Sequence, residues 1–76
     1  MPDFELCMQC DGRRSPEQMR ARLALYFPEI EIVGRYVSEQ HEDELWICRA
    51  PSVAHLERWV AEEPLHVTRI RRLAEP

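Results

Sequence analysis

No stretch of this chain is apolar for the roughly 20 consecutive residues that a membrane-spanning helix requires, so a membrane protein is not expected. A basic balance is missing too. Ten arginine and lysine residues stand against 14 acidic ones, a net charge of −4, whereas a general nucleic-acid binder needs a basic footprint. Cysteine is scarce and odd in number, with 3 in the chain, which leaves no closed disulfide framework and favours reduced thiols. The basic, then apolar, opening of a signal peptide is absent, because Met1-Pro2-Asp3 is acidic. A cytoplasmic location is therefore expected.

What is present suits a soluble globular protein: 45% hydrophobic and 32% charged residues. The 76 residues read as one domain, 1–76, near the lower limit for a self-sufficient core. Such a domain often gains stability by dimerising or holding a ligand. Charge is unevenly spread, with an acidic block at Glu39-Gln40-His41-Glu42-Asp43-Glu44 and basic residues at Arg13-Arg14, Arg20, Arg22 and within 69–72.

Residues 3–9 alternate, with Phe4, Leu6 and Met8 on one face and Glu5, Cys7 and Gln9 on the other, the period of a half-buried strand. Asp11-Gly12 ends it. Ser15-Pro16-Glu17-Gln18 combines an N-cap, a proline suited to the first helical position and a capping box. Met19, Leu23 and Tyr26 or Phe27 then form an apolar stripe, and Pro28 stops the helix. The β-branched and aromatic run 30–37 predicts a second strand, with Ile30, Ile32 and Tyr36 on one face and Gly34 available for a bulge. The acidic block, 39–44, is expected to be an exposed turn into a third strand, 45–49. That strand is apolar on both sides, as a central strand would be. Ala50-Pro51-Ser52 opens a second helix with Val53, Leu56 and Val60 as its stripe and Trp59 beside it. Residues 65–73 form a last strand whose arginines suit a sheet edge.

The order βαββαβ with two right-handed crossovers places both helices on one side of the sheet. The compact solution is an α+β, ferredoxin-like sandwich: a four-stranded antiparallel sheet, ordered fourth, first, third, second, with two helices on one face.

In that topology Cys7 and Cys10 share an end of the sheet with His66, and with His41 nearby, while Cys48 falls towards the other end. Two thiols at C-x-x-C spacing can chelate one soft metal or close a disulfide. Cys7, Cys10 and His66 together offer the N/S ligands that nickel, zinc or copper accept. Residues i and i+3 of a regular strand point to opposite faces, so the thiols converge only if the chain turns at Met8 to Cys10. The plainer reading makes Cys7 a small buried side chain and Cys10 a loop thiol. His55, four residues before Trp59, is placed to stack on it. The helix side of the sheet is expected to carry Phe4, Leu6, Met8, Leu45 and Ile47. The open side would then carry Glu5, Cys7, Gln9, Trp46 and Cys48. A tryptophan and two thiols on an uncovered face call for a cover, and a homodimer packed sheet to sheet is the expected one.

The opening Met1-Pro2-Asp3-Phe4 and the stretch Trp46-Ile47-Cys48-Arg49-Ala50-Pro51-Ser52, a strand ending in Cys before an Ala-Pro-Ser helix start, resemble the small bacterial nickel-binding ferredoxin-like proteins. Length and element order are similar as well. That resemblance implies the ferredoxin-like fold. Its metal-binding members are histidine-rich at the end of the first strand, where this chain has Cys7-Met8-Gln9-Cys10. Leu6-Cys7-Met8-Gln9-Cys10 also resembles in part the Met-x-Cys-x-x-Cys of heavy-metal-associated domains, copper and zinc carriers of similar size. Here Asp11-Gly12-Arg13-Arg14 intervenes before the helix. The resulting expectation is a small protein that binds a ligand or a soft metal without catalysis. The alternatives are a dimeric α/β-barrel-type enzyme, monooxygenase- or isomerase-like, acting on a small organic substrate, and a homodimeric interaction module with no ligand.

Overall fold

The computed structural model describes residues 1–9, 16–39, 43–63 and 65–74. Its elements run β1 (Asp3–Gln9), α1 (Pro16–Tyr26), β2 (Glu31–Val37), β3 (Asp43–Arg49), α2 (Val53–Glu62) and β4 (Val67–Arg72). The strands form one antiparallel sheet in the order β2-β3-β1-β4, the expected ferredoxin-like α+β arrangement.

Alternation in β1 buries Phe4, Leu6 and Met8 at no more than 4% exposure. Met19, Leu23 and Phe27 from the α1 side and Leu56 and Trp59 from α2 join them in one core, so both helices cover the same face. The choice left open in the α1 stripe falls to Phe27, since Tyr26 is exposed. The α1 chain leaves its last turn through Phe27 N–H donating to Leu23 O at 2.8 Å, and Pro28 follows. The Ser15 cap lies outside the described residues. Ser52 stands at the α2 N-cap position, but its hydroxyl makes no capping bond there. It lies 2.8 Å from His55 Nδ1 instead.

Two expected facings are overturned. Leu45 and Ile47 do not face the helices. The register sets Phe4 opposite Cys48 and Leu6 opposite Trp46, and directly paired residues share a face. Trp46 and Cys48 are therefore in the core, at 1% and 0% exposure, and Leu45 and Ile47 lie on the open face. The strand is apolar on both sides, so periodicity alone could not choose its phase; the larger area of the indole decides it. Trp46 packs on Trp59 with ring centroids 6.3 Å apart and planes tilted by 48°, so Trp59 has an indole partner.

The second correction concerns β2. Its register against β3 shifts between Ile32 and Gly34, leaving Val33 as the extra residue of a bulge. Ile32 packs on the core, whereas Tyr36, two positions past Gly34, turns to the other face and is 63% exposed. Strand β3 also begins earlier than expected, at Asp43. Ser38 N–H donates to Asp43 O at 3.0 Å, and Asp43 N–H to Ser38 Oγ at 3.3 Å, closing the β2–β3 connection.

Among the described residues, no helix is long and apolar enough to cross a membrane.

Candidate functional site

The open face is organised in cross-strand rows. One row runs Arg69, Cys7, Leu45, Tyr36 across β4, β1, β3 and β2. The next runs Arg71, Glu5, Ile47, Gly34. In the third, Asp3 is paired with Arg49 and Arg49 with Glu31. With strands about 4.8 Å apart, a row spans roughly 14 Å, the length of a small organic molecule. The Tyr36 ring lies over Gly34: a Cβ there would sit 3.4 Å from Tyr36 Cε2. Glycine thus leaves the ring room to lie low on the sheet.

A concavity of about 650 Å³ opens along the first row, lined by Cys7, Tyr36, Leu45, Thr68 and Arg69 and, where β2 and β3 are joined, by Ser38, Asp43 and Glu44. Leu45 and Tyr36 supply its apolar part. Arg69 supplies a cation at the β4 side. Thr68 sits where the β1–β4 register slips between Cys7 and Met8. Its hydroxyl donates to Cys7 O at 3.1 Å, fixing the rim.

Polar contacts hold Cys7 in place. Its thiol lies 3.6 Å from Glu5 Oε1, to which it donates, and Arg69 Nη2 lies 3.6 Å from the sulfur. Glu5 is shared: Arg69 Nη2 reaches Oε1 at 3.1 Å and Arg71 Nη2 reaches Oε2 at 2.9 Å. Two guanidiniums on one carboxylate leave one positive charge in excess within that cluster. Each guanidinium carries five N–H donors, more than these contacts use.

Burial pushes the Glu5 carboxyl up, but hydrogen bonds from Arg71, Cys7 and Arg69 and the Arg71 charge outweigh it, leaving the group below its ordinary value. A carboxyl held lower in the folded chain contributes stability in full above its ordinary value, 4.5, and loses it as pH falls through the folded value. Acid titration of stability is therefore expected to fall less steeply below about pH 4.5 in Glu5→Gln than in the parent, as followed by circular dichroism. Equal slopes would show that the shared carboxylate adds nothing.

Cys48 is a different thiol. It lies in the core, not on the open face as expected, and burial pushes its pKa up to about 12. At neutral pH it is protonated and shielded from reagents. Iodoacetamide should alkylate Cys7 in the native protein and Cys48 only after denaturation, with peptide mass mapping as the readout. Native labelling of Cys48 at the rate of Cys7 would contradict the core placement.

Of the expected metal ligands, Cys7 faces the open side and His66 is exposed. Gln9 N–H donates to His66 O at 3.0 Å, so the His66 backbone lies beside the end of β1. Cys10, the third, and His41 lie outside the described residues. Among the described residues, no three His, Cys, Asp or Glu side chains form a group able to hold a metal ion. His55 pairs with Ser52 rather than stacking on Trp59, whose ring partner is Trp46.

Nothing in the sequence pattern marks Arg69, Tyr36 and Leu45 as companions of Cys7. Strand order alone puts β4 and β3 on either side of β1. The row needs the register, which depends on the slip at Thr68 and the bulge after Ile32. The chain matches no protein-family model, no curated protein and no solved structure.

Proposed function

We propose that this protein is a binding protein without catalysis, and that it takes a small organic molecule carrying an acidic group in the open-face concavity. The observation that carries this reading is the Arg69–Cys7–Leu45–Tyr36 row. A guanidinium at one end binds a carboxylate or phosphate through paired N–H donors. Leu45 and Tyr36 at the other end cover an apolar body, and a site of this size suits a small ligand. Proton correlation spectra of ¹⁵N-labelled protein, titrated with aliphatic and aromatic carboxylates, test it. Saturating shifts at Cys7, Tyr36, Leu45 and Arg69, weakened at least tenfold in Arg69→Ala, are expected. Shifts elsewhere, or the same affinity in Arg69→Ala, would contradict it.

A soft metal ion, nickel, zinc or copper, held by Cys7, Cys10 and His66 is the second reading. It is favoured by the backbone bond that keeps His66 beside the end of β1. The Arg69 guanidinium, 3.6 Å from the Cys7 sulfur, works against a cation there, because like charges repel strongly at such distances. Thiol titration with and without Zn²⁺, Ni²⁺ or Cu⁺ separates the readings. Under the metal reading, Cys7→Ser and Cys10→Ser lose protection; variants that bind as well as the parent would remove it.

The open face also suits a second copy of the chain. Asp3, Glu5 and Glu31 balance Arg49, Arg69 and Arg71 across it, with Leu45, Ile47 and Tyr36 as an apolar centre. Two such faces would pack without net repulsion, and the concavity would then be roofed by the partner.

A further inference from the structure

Strand β4 is an edge of the sheet, paired on one side to β1 alone. Beyond the slip at Thr68 its register runs unbroken from Arg69, opposite Cys7, to Arg72, opposite Phe4. An edge strand turns the N–H and C=O groups of alternate residues outward, where another extended chain can meet them. On the helix side this edge borders a groove of about 380 Å³, walled by Glu57, Val60 and Ala61 of α2 and floored by Val67 and Ile70. Thr68 and Arg69 line this groove as well as the Cys7 concavity, so the two share the β4 edge. Val67, Ile70 and Arg72 point along the helix face, since their partners Met8, Leu6 and Phe4 are core residues. Arg69 and Arg71 point to the open face, beside Cys7 and Glu5.

We propose that β4 and this groove bind an extended peptide strand with apolar residues at alternate positions and carboxylates between them. Pairing with β4 supplies main-chain hydrogen bonds, and the pockets beside the edge supply specificity, as in β-strand addition generally. A strand laid against β4 sets every second side chain over the groove, where Val60, Ala61, Val67 and Ile70 offer apolar contact beside Glu57, Thr68 and Arg69. The intervening side chains stand beside Arg69 and Arg71, which share one carboxylate, Glu5, between them. Opposite charges in directly facing positions stabilise a strand pair and like charges oppose it.

Charge also selects against the chain itself. A second β4 in the same position would set arginine against arginine, so a copy of this strand is rejected and an acidic strand accepted. All ten basic residues of the chain are arginines, whose planar fork matches a carboxylate better than an ammonium does. The other edge is less suited. Strand β2 carries Glu31 as well as Arg35, so its charges do not select a carboxylate, whereas the charged residues of β4 are all arginines.

This inference does not depend on the small-ligand reading, and its test uses residues outside that concavity. Fluorescence anisotropy of a labelled hexapeptide alternating valine and glutamate is measured against the full chain. Controls are a valine–lysine hexapeptide and a valine–glutamate peptide N-methylated at alternate amides. The acidic peptide should bind saturably, at least tenfold more tightly than the basic one. N-methylation on the β4-facing edge should abolish binding. Arg71→Glu, on the open face, should lose the acidic peptide and gain the basic one. Ala61→Trp, at an exposed helix position that leaves the fold intact, should weaken the acidic peptide tenfold by filling the groove. Equal affinity for both peptides, indifference to N-methylation, or unchanged binding in Ala61→Trp would each overturn the proposal. So would no saturable binding at millimolar peptide, or concentration-dependent pairing of β4 with a second copy.

Discussion

Replacing Trp46 by alanine is expected to remove about 3–5 kcal/mol of stability, a large part of what a domain of this size possesses. Trp46 is 1% exposed and lies at the centre of the sheet, opposite Leu6 and against Trp59. Its loss removes a large apolar surface and leaves a cavity bounded by two elements that cannot close on each other. Arg35, with its guanidinium 6.0 Å from the indole centroid, also loses a partner, although its ion pair with Glu44 remains. Trp46→Phe should cost far less. Among the described residues, the buried indole N–H has no hydrogen-bond partner, and removing an unsatisfied donor recovers part of the lost packing. Ile47→Ala, next along the strand but on the open face, should cost about 1 kcal/mol, because that side chain is half-buried. Urea unfolding of the three variants checks the order. A larger loss at Ile47 than at Trp46 would mean that the phase of β3 is the reverse of the one described.

Arg22→Ala has the second largest expected effect, about 2 kcal/mol. Arg22 on α1 donates from Nε to both oxygens of Glu63, at 2.8 and 3.0 Å. Glu63 caps the C-terminus of α2, with its N–H on Trp59 O at 3.0 Å. The pair ties the two helices together across the top of the core. Its members are unequally buried, with side-chain exposures of 46% for Arg22 and 5% for Glu63. Removing the arginine leaves a carboxylate with little access to water. Removing the acid leaves a guanidinium that water can reach. The half-exposed arginine keeps the cost below the ~3–5 kcal/mol of a fully buried broken pair. Arg22→Lys should recover part of the loss by restoring the charge without the fork. Equal stability of Arg22→Ala and the parent in urea would show that the pair contributes nothing.

The fold was legible because its signals were local and agreed with one another. Alternation at Phe4, Leu6 and Met8, proline at the start of α1, Pro28 at its end and arginines on the last strand each act over a few residues, and the βαββαβ order leaves few topologies. The site was legible only in part. Cys7 stood out by its chemistry, and its place at the end of β1 beside the His66 segment followed from strand order. Its neighbours Arg69, Leu45 and Tyr36 did not: Arg69 and Tyr36 each depend on a one-residue slip in a ladder. Such a slip moves side chains to the opposite face. The bulge after Ile32 turned Tyr36 outward, and the both-sided apolar character of β3 hid which of Trp46 and Leu45 faced the helices.

On the proposed function, the open face binds a small acidic molecule through the Arg69 end of the row. Native mass spectrometry of the protein purified without chelator, beside Arg69→Ala, tests it most directly, because bound mass and oligomeric state are read together. A non-covalent organic adduct is expected on the parent, released on gentle activation and missing from Arg69→Ala. A parent without adduct, one carrying only a metal ion, or an adduct equally abundant in Arg69→Ala would contradict it.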